Sequence, residues 1–272
     1  MNKNEYKSPI KDKPMRQAGQ SLREAKQTLL DENVMPCFII GSVCFILMLI
    51  DWVRYFFKWY PHPAYVTVLF VGMLLFSIYK LKPLRKTGKN LSLGEEGEQA
   101  VGQMLEEKLR PGGYQIFHDI QADAFNVDHF VVGPTGLFCI ETKTHRKPGR
   151  GKPEVVFDGE TIRVNGFTPD RDPVAQVKAE AKWMADLIEK STGKHFPVQP
   201  ILVYPGWYVA MPNPIPTVWA LNELGAVSFI SKARTTLSPE DVALIVFHLK
   251  RYVVNTDKER VRSLSHVSGS SL

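Results

Sequence analysis

The sequence predicts a mixed α/β domain carried behind a two-helix transmembrane hairpin. Two uncharged apolar runs lie close together near the N-terminus, at 35–50 and 64–79. Beyond residue 92 the hydrophobic pattern switches between helical and strand periods, in the order helix, strand, strand, strand, helix, strand over 93–204. Two acids and a lysine also fall on one face of the central strand pair. The chain is long enough for one good-sized domain with an appendage, at 272 residues, and its 44% apolar content excludes a wholly disordered chain. Cys37, Cys44 and Cys139 sit in apolar or strand-like runs and are too few for a disulfide scaffold. They read as small buried hydrophobes in a reducing compartment.

The N-terminal segment 1–33 is polar, and 34–80 forms the hairpin. Each apolar run of about 16 residues spans roughly 24 Å as a helix, slightly short of a ~30 Å hydrocarbon core, which flanking lysines and bilayer thinning accommodate. The connection between them is rich in Trp, Tyr and Phe, the rings of a membrane interface. A buried hairpin in a soluble core is the competing reading, but such helices usually carry a polar stripe, and neither run has one. A cleaved signal peptide fits worse, because a long polar stretch precedes the first run and a second run follows it. Lys3, Lys7, Lys11, Lys13, Arg16, Arg23 and Lys26 precede the first run; Lys80, Lys82, Arg85, Lys86 and Lys89 follow the second; the loop holds only Arg54 and Lys58. The positive-inside rule then puts both ends in the cytoplasm. With no charge inside its spans, the hairpin is an anchor and not a transport pathway.

Segment 81–92 reads as a basic linker with Pro83 and Gly88. A helix follows over 93–110, with Val101, Met104, Leu105 and Leu109 on one face and Pro111-Gly112-Gly113 as its stop. Strands follow over 114–120, 127–132 and 137–143, the last two joined by a Gly133-Pro134-Thr135-Gly136 turn. Segment 155–164 is a hairpin around Asp158-Gly159. Asp172-Pro173 caps and opens a helix whose core face is Val174, Val177, Ala181, Met184, Leu187 and Ile188. An apolar strand covers 198–204, closing the domain at 93–209. In the extension 210–256, loops and short strands lead to a helix capped at Ser238-Pro239-Glu240-Asp241 that ends near 254. Residues 257–272 read as a disordered tail.

Placing Val132 opposite Leu137 across the turn sets Asp128 opposite Glu141. Alternation then puts Asp128, Glu141 and Lys143 on one face, with Phe130, Val132, Leu137 and Cys139 nearer the turn. Cross-strand partners lie only ~4.5–5.5 Å apart at Cβ, so the two acids repel unless a cation joins them. Hard carboxylate oxygens favour Mg²⁺ or Mn²⁺. With Lys143 beside it, such a pair has the equipment for phosphodiester hydrolysis. The competing reading is a solvated strand end with a Glu–Lys pair. The basic loop 144–152 reads equally as a phosphate contact or a solvated loop.

The element order and the Asp…Glu-x-Lys pattern resemble the PD-(D/E)xK nuclease superfamily, and more narrowly the nuclease-related (NERD) domain. The matching residues are Gly94-x-x-Gly97-Glu98, Val127-Asp128-His129, Gly133-Pro134-x-Gly136, Ile140-Glu141-Thr142-Lys143 and Pro173-x-x-Gln176. The resemblance implies a restriction-endonuclease-like αβββαβ core with a mixed sheet. It implies Asp128 and Glu141 as metal ligands, with the Thr142 carbonyl a third, and Lys143 as the catalytic cation. Glu98 would aid the metal or its water, and Gln176 would orient water or phosphate. For Glu98 the alternative is a first-turn glutamate favouring the helix N-terminus; for Gln176 it is an ordinary polar residue of a helix turn. The superfamily's proline is absent before Asp128, where Val127 stands. His129 points to the opposite face and reads as a packed histidine.

The expected function is therefore a membrane-anchored nuclease dependent on Mg²⁺ or Mn²⁺. Its partners would be nucleic acid, DNA before RNA, and a lipid bilayer met through 34–80. The net charge of +6, from 34 Lys+Arg against 28 Asp+Glu, permits both without demanding either. The expected location is the cell membrane (the inner membrane of a bacterium), crossed twice with both termini cytoplasmic. The alternatives are a catalytically silent nucleic-acid-binding or adaptor module, and a membrane scaffold in which the hairpin does the main work.

Overall fold

The computed structural model describes residues 15–59, 63–149, 153–212 and 214–269, with backbone alone from 260. Most of the polar N-terminal segment (1–14), the end of the basic loop (150–152) and the last three residues of the tail lie outside the described residues. The chain divides into two compact units, Ser21–Glu95 and the remainder, Met1–Gln20 with Glu96–Leu272. The hairpin unit is thus inserted in sequence into the larger one.

The hairpin unit holds α1 (Gln20–Leu29), a π-helical turn (Leu30–Val34), α2 (Met35–Phe56) and most of α3 (Ala64–Leu109). Both long helices are long and apolar enough to cross a membrane, and only 6% of each apolar window is buried. Phe38, Val68 and Leu75 accordingly point outward. Trp52 Nε1 donates to Thr67 Oγ1 at 3.0 Å, and Phe45 meets Phe70 at 5.5 Å between ring centroids. Both contacts tie α2 to α3. Arg23 and Lys26 of α1 pair with Glu95 of α3 at 2.9 and 3.5 Å.

Segment 81–92, expected as a linker, is helical, and α3 runs through it without a break. Pro83 removes a single helical N–H, while Leu81, Lys82, Leu84, Arg85, Lys86 and Leu91 around it are good helix formers.

In the larger unit the strands β1 (Gln115–Gln121), β2 (Asn126–Gly133), β3 (Gly136–Thr142), β6 (Val198–Val203) and β8 (Trp219–Leu221) form a sheet in the order β1-β2-β3-β6-β8. The β1-β2-β3 part is antiparallel, whereas β3-β6 and β6-β8 are parallel, so the sheet is mixed. A smaller sheet joins β4 (Glu154–Phe157), β5 (Ile162–Val164) and β7 (Tyr208–Ala210) in the order β5-β4-β7.

Alternation along β2 and β3 sorts the core. Phe130, Val132, Leu137 and Cys139 pack with Ala181, Met184 and Ile188 of α4 (Pro173–Thr192) and with Ile245 and Leu249 of α6 (Pro239–Gly269). Val131, Phe138 and Ile140 face the other way, against Val101 and Leu105 of α3 and Ala226 and Ile230 of α5 (Glu223–Lys232). Helices therefore cover both faces of the sheet.

Asp172 caps α4 by accepting from the Val174 and Ala175 N–H groups at 2.9 and 3.2 Å, as its sequence signature predicts. Helix α5 lies where only loops and short strands were expected; Asn222 caps it by accepting from Gly225 N at 2.7 Å. Helix α6 continues past 254 to Gly269, through a stretch expected to lack structure. Nothing polar or conformational stops it, since Gly and Pro are absent between Pro239 and Gly269.

Candidate metal and phosphodiester site

Asp128 and Glu141 stand one step beyond the last pair of the β2–β3 ladder, which is in the expected register, with His129 opposite Ile140, Phe130 opposite Cys139 and Val132 opposite Leu137. Asp128 Oδ2 accepts the Thr142 backbone N–H at 2.8 Å across that ladder. Lys143 Nζ donates to Glu141 Oε1 at 2.6 Å and to Gln176 Oε1 at 2.8 Å. Gln176 Nε2 in turn donates to Glu141 Oε1 at 2.9 Å and to Glu180 Oε1 at 2.8 Å. Lys143, Glu141 and Gln176 therefore close a ring of hydrogen bonds. Helix α4 brings Gln176 there from its first turn, which the Asp172 cap and Pro173 hold at the edge of β3.

Glu98 approaches from α3, one residue past Gly97. A methyl group on Gly97 would lie 1.8 Å from Thr144 Oγ1, so only glycine lets the helix come this close to the strand end. The Gly19 backbone N–H bonds to the Glu98 carboxylate.

These acids are crowded. Burial first, then the charges of Asp119 and Glu141, push the Glu98 carboxyl up to about 8. Burial and then Glu141 push Glu180 up to about 9, and a protonated Glu180 is within hydrogen-bonding reach of Glu141. Asp128 is held well above the usual carboxylate range by desolvation, then by Glu141 and Glu98. With the acids ionised, Glu141 Oε2 and Glu180 Oε2 are buried without a hydrogen-bond partner. Such a cluster must hold protons or a cation.

The donor set fits a hard divalent cation. It consists of carboxylate oxygens, one of them orphaned on Glu141, with the Thr142 backbone at the same strand end. Among the described residues no three His, Cys, Asp or Glu side chains are grouped as a ready-made cage. The set is two carboxylates converging on a backbone segment, and Lys143 and Gln176 already engage one oxygen of Glu141.

Four contributors escape the sequence reading. Glu180, 1% exposed, lies one turn after Gln176. Its signal is present, because it interrupts the apolar stripe of α4 between Val177 and Ala181. Asp119, 2% exposed, sits in β1 with a left-handed φ of 51°. Arg16 binds it through Nε at 2.8 Å and Nη2 at 2.7 Å, and reaches Asp257 of α6 at 3.7 Å. Arg16 and Gly19 lie on the far side of the hairpin in sequence, and no local pattern marks them. His129 is buried away from these acids, its Nδ1 2.9 Å from Nδ1 of His118.

Residues 93–205 match the family of the nuclease-related domain, NERD. This segment is a nuclease-related domain. Its bounds take in Glu98, Asp128, Glu141, Lys143, Gln176 and Glu180, and leave out Arg16 and Gly19. An uncharacterized protein of Bacillus anthracis is 37% identical over 57 residues, a match that covers 19% of this chain and 26% of that relative. No solved structure matches the chain.

Proposed function

We propose that the nuclease-related domain hydrolyses phosphodiester bonds of nucleic acid with the help of Mg²⁺ or Mn²⁺, and that the apolar hairpin holds it at a membrane. The observation that supports this reading is the gathering of Asp128 and Glu141 at one end of the β2–β3 ladder, with the Lys143 ammonium 2.6 Å from Glu141. Asp128, Glu141 and the Thr142 carbonyl would hold the ion. A divalent ion at such a position supplies Lewis acidity toward a phosphoryl oxygen and a more acidic water.

The chain's own residues do the remainder. Lys143 is 27% exposed at its side chain, open enough to meet a phosphate and buried enough for its charge to act strongly. It would leave Glu141 Oε1 for the nonbridging oxygen on which negative charge grows. Gln176 would keep its amide on Glu141 and so hold the carboxylate oriented during that exchange. Glu98, raised toward neutral pH, would accept or release the proton of an attacking water. DNA is the preferred substrate over RNA in this reading.

Membrane anchoring rests on the outward-facing apolar side chains of α2 and α3 and on the Lys/Arg asymmetry about the loop. Residues 15–20 and 96–269 belong to one compact unit, which supports a hairpin whose two ends lie on the same side of the membrane. The lysines and arginines make that side the cytoplasmic face of the inner membrane of a bacterium. A silent binding module is the second reading, favoured by the engagement of Glu141 Oε1 by Lys143 and Gln176.

The test is cleavage of linear, circular and single-stranded DNA and of RNA by the detergent-solubilised full chain, with and without Mg²⁺. Glu141→Gln and Lys143→Ala should each reduce metal-dependent cleavage at least a hundredfold. Undiminished cleavage by Glu141→Gln refutes the assignment. Salt-dependent binding without metal and without product selects the silent module.

A further inference from the structure

A groove opens two residues beyond Lys143, along the segment that follows β3. Its volume is about 350 Å³, within the range that holds a small ligand, and His145, Arg146, Lys147, Asn165, Phe167 and Trp207 are among the residues that line it. Among the described residues the lining includes no acidic side chain. One wall leads back toward the site through Tyr204. The His145 ring stacks on Tyr204 at 5.9 Å and 11°, and Trp207 Nε1 donates to the His145 carbonyl at 3.3 Å. Tyr204 is buried within the field of Glu141, which helps to raise its hydroxyl above the usual range.

The opposite wall is a rigid tight turn. Val164 and Phe167 exchange two backbone hydrogen bonds, at 2.8 and 3.0 Å, around Asn165 and Gly166. Both central residues are left-handed, at φ 53° and 81°, the geometry of an Asn-Gly type I′ turn. This turn holds Phe167 out at 78% exposure, against the rule that large aromatics bury. A rigid exposed ring facing exposed Arg146 and Lys147 has the composition of a stacking platform beside a phosphate track.

We propose that this groove seats an unpaired nucleotide next to the phosphodiester at Lys143, with its base on Phe167 and its phosphates against Arg146 and Lys147. The occupant is a single strand, because the faces of bases within a duplex are already stacked and cannot reach the ring. The inference rests on the phosphodiester reading of the site for its orientation, and it names the substrate as single-stranded.

The test separates binding from chemistry. The full chain in detergent micelles is titrated, in chelator, into a fluorescently labelled single-stranded oligonucleotide and into a blunt duplex of the same sequence, and anisotropy is read. The single strand should bind more tightly. Phe167→Ala should weaken it roughly tenfold, and Phe167→Trp should restore it. Arg146→Gln with Lys147→Gln should lower the slope of log Kd against log salt by about 1.4, as for two lost phosphate contacts. All are surface changes that leave the core intact. An unchanged Kd in Phe167→Ala, or a duplex bound as tightly as the single strand, overturns the proposal even if the wild type cleaves. Failure of the metal-dependent reaction with these binding effects present overturns the phosphodiester reading and leaves the groove.

Discussion

Replacing Gly97 by alanine isolates the contact that lets Glu98 reach the site. In an open helix this change stabilises by about 1 kcal/mol, because glycine is the costlier helix residue. Here the new Cβ would stand 1.8 Å from Thr144 Oγ1, 2.8 Å from Thr144 Cβ and 2.9 Å from its Cγ2. Rotating the Thr144 side chain relieves the oxygen but not the Cβ, which is fixed to the backbone. Helix or strand end must therefore move, at a cost of about 2–3 kcal/mol, of which the helix gain offsets about 1. The net expectation is a loss of about 1–2 kcal/mol, or roughly 2–8 °C in Tm for a unit of this size. Thermal unfolding of the detergent-solubilised chain, followed by tryptophan fluorescence, reads it. Gly88 lies in the same helix, and a methyl group there would meet nothing within 4 Å, so Gly88→Ala is the matched control and should stabilise slightly. Thr144→Gly should rescue Gly97→Ala in a double-mutant cycle. A Gly97→Ala protein that melts at or above the wild type, or a cycle without coupling, refutes the close approach and with it the placement of Glu98.

The other expectations concern charge. Glu180 has its folded-state carboxyl raised above the ordinary value of 4.5 to about 9, so its contribution is complete at low pH and is lost as pH rises through that window. In chelator, stability should fall between about pH 5 and pH 9, and Glu180→Gln should make the profile shallower by up to ~1.4 kcal/mol per pH unit, the rest being due to Glu98 and Asp128; a flat wild-type profile counts against the buried acid cluster. Millimolar Mg²⁺ or Mn²⁺ should raise the Tm of the wild type at neutral pH and leave Glu141→Gln unmoved, as ligand linkage requires. Equal shifts in both proteins would remove Glu141 from the ligand set. Arg16→Gln removes the buried guanidinium beside Asp119 and should cost up to about 3–5 kcal/mol in urea unfolding. Asp119→Asn in the same chain should recover part of that loss, and its failure to do so would make the Arg16 contact incidental.

Most of the domain was legible because its signals are local. The Gly133-Pro134-Thr135-Gly136 turn set the β2–β3 register, and period two then sorted Phe130, Val132, Leu137 and Cys139 from Val131, Phe138 and Ile140. Asp172-Pro173 marked the start of α4 to the residue. The misreadings have physical causes. Pro83 and Gly88 are breakers by propensity, costing about 3 and about 1 kcal/mol in a helix interior, yet the helix of 46 residues continues through both. Helix α5 has ten residues with a glycine in its first turn, so its own propensity is weak. It is held by Ala226 and Ile230, buried against the sheet, and packing of that kind leaves little trace in a short window.

The site divides along the same line. Asp128, Glu141 and Lys143 share one hairpin, so counting along two strands brings them together. Glu98 and Gln176 came from ordered motifs, one residue at a time, and the structure supplies what the motifs lack: a reason for each position. Gln176 holds both Lys143 and Glu141, and Glu98 needs the glycine before it. Arg16 is different in kind. It stands 103 residues from Asp119, across the whole hairpin, and neither residue carries a local sign of the other. Yet Asp119 presses on Glu98, and Gly19 bonds to it. The segment before the first apolar run therefore does more than precede an apolar hairpin. By neutralising Asp119 and bonding Glu98 it sets the charge at the edge of the acid cluster, so a protein cut to the nuclease-related domain alone would carry the same acids with one compensating cation fewer.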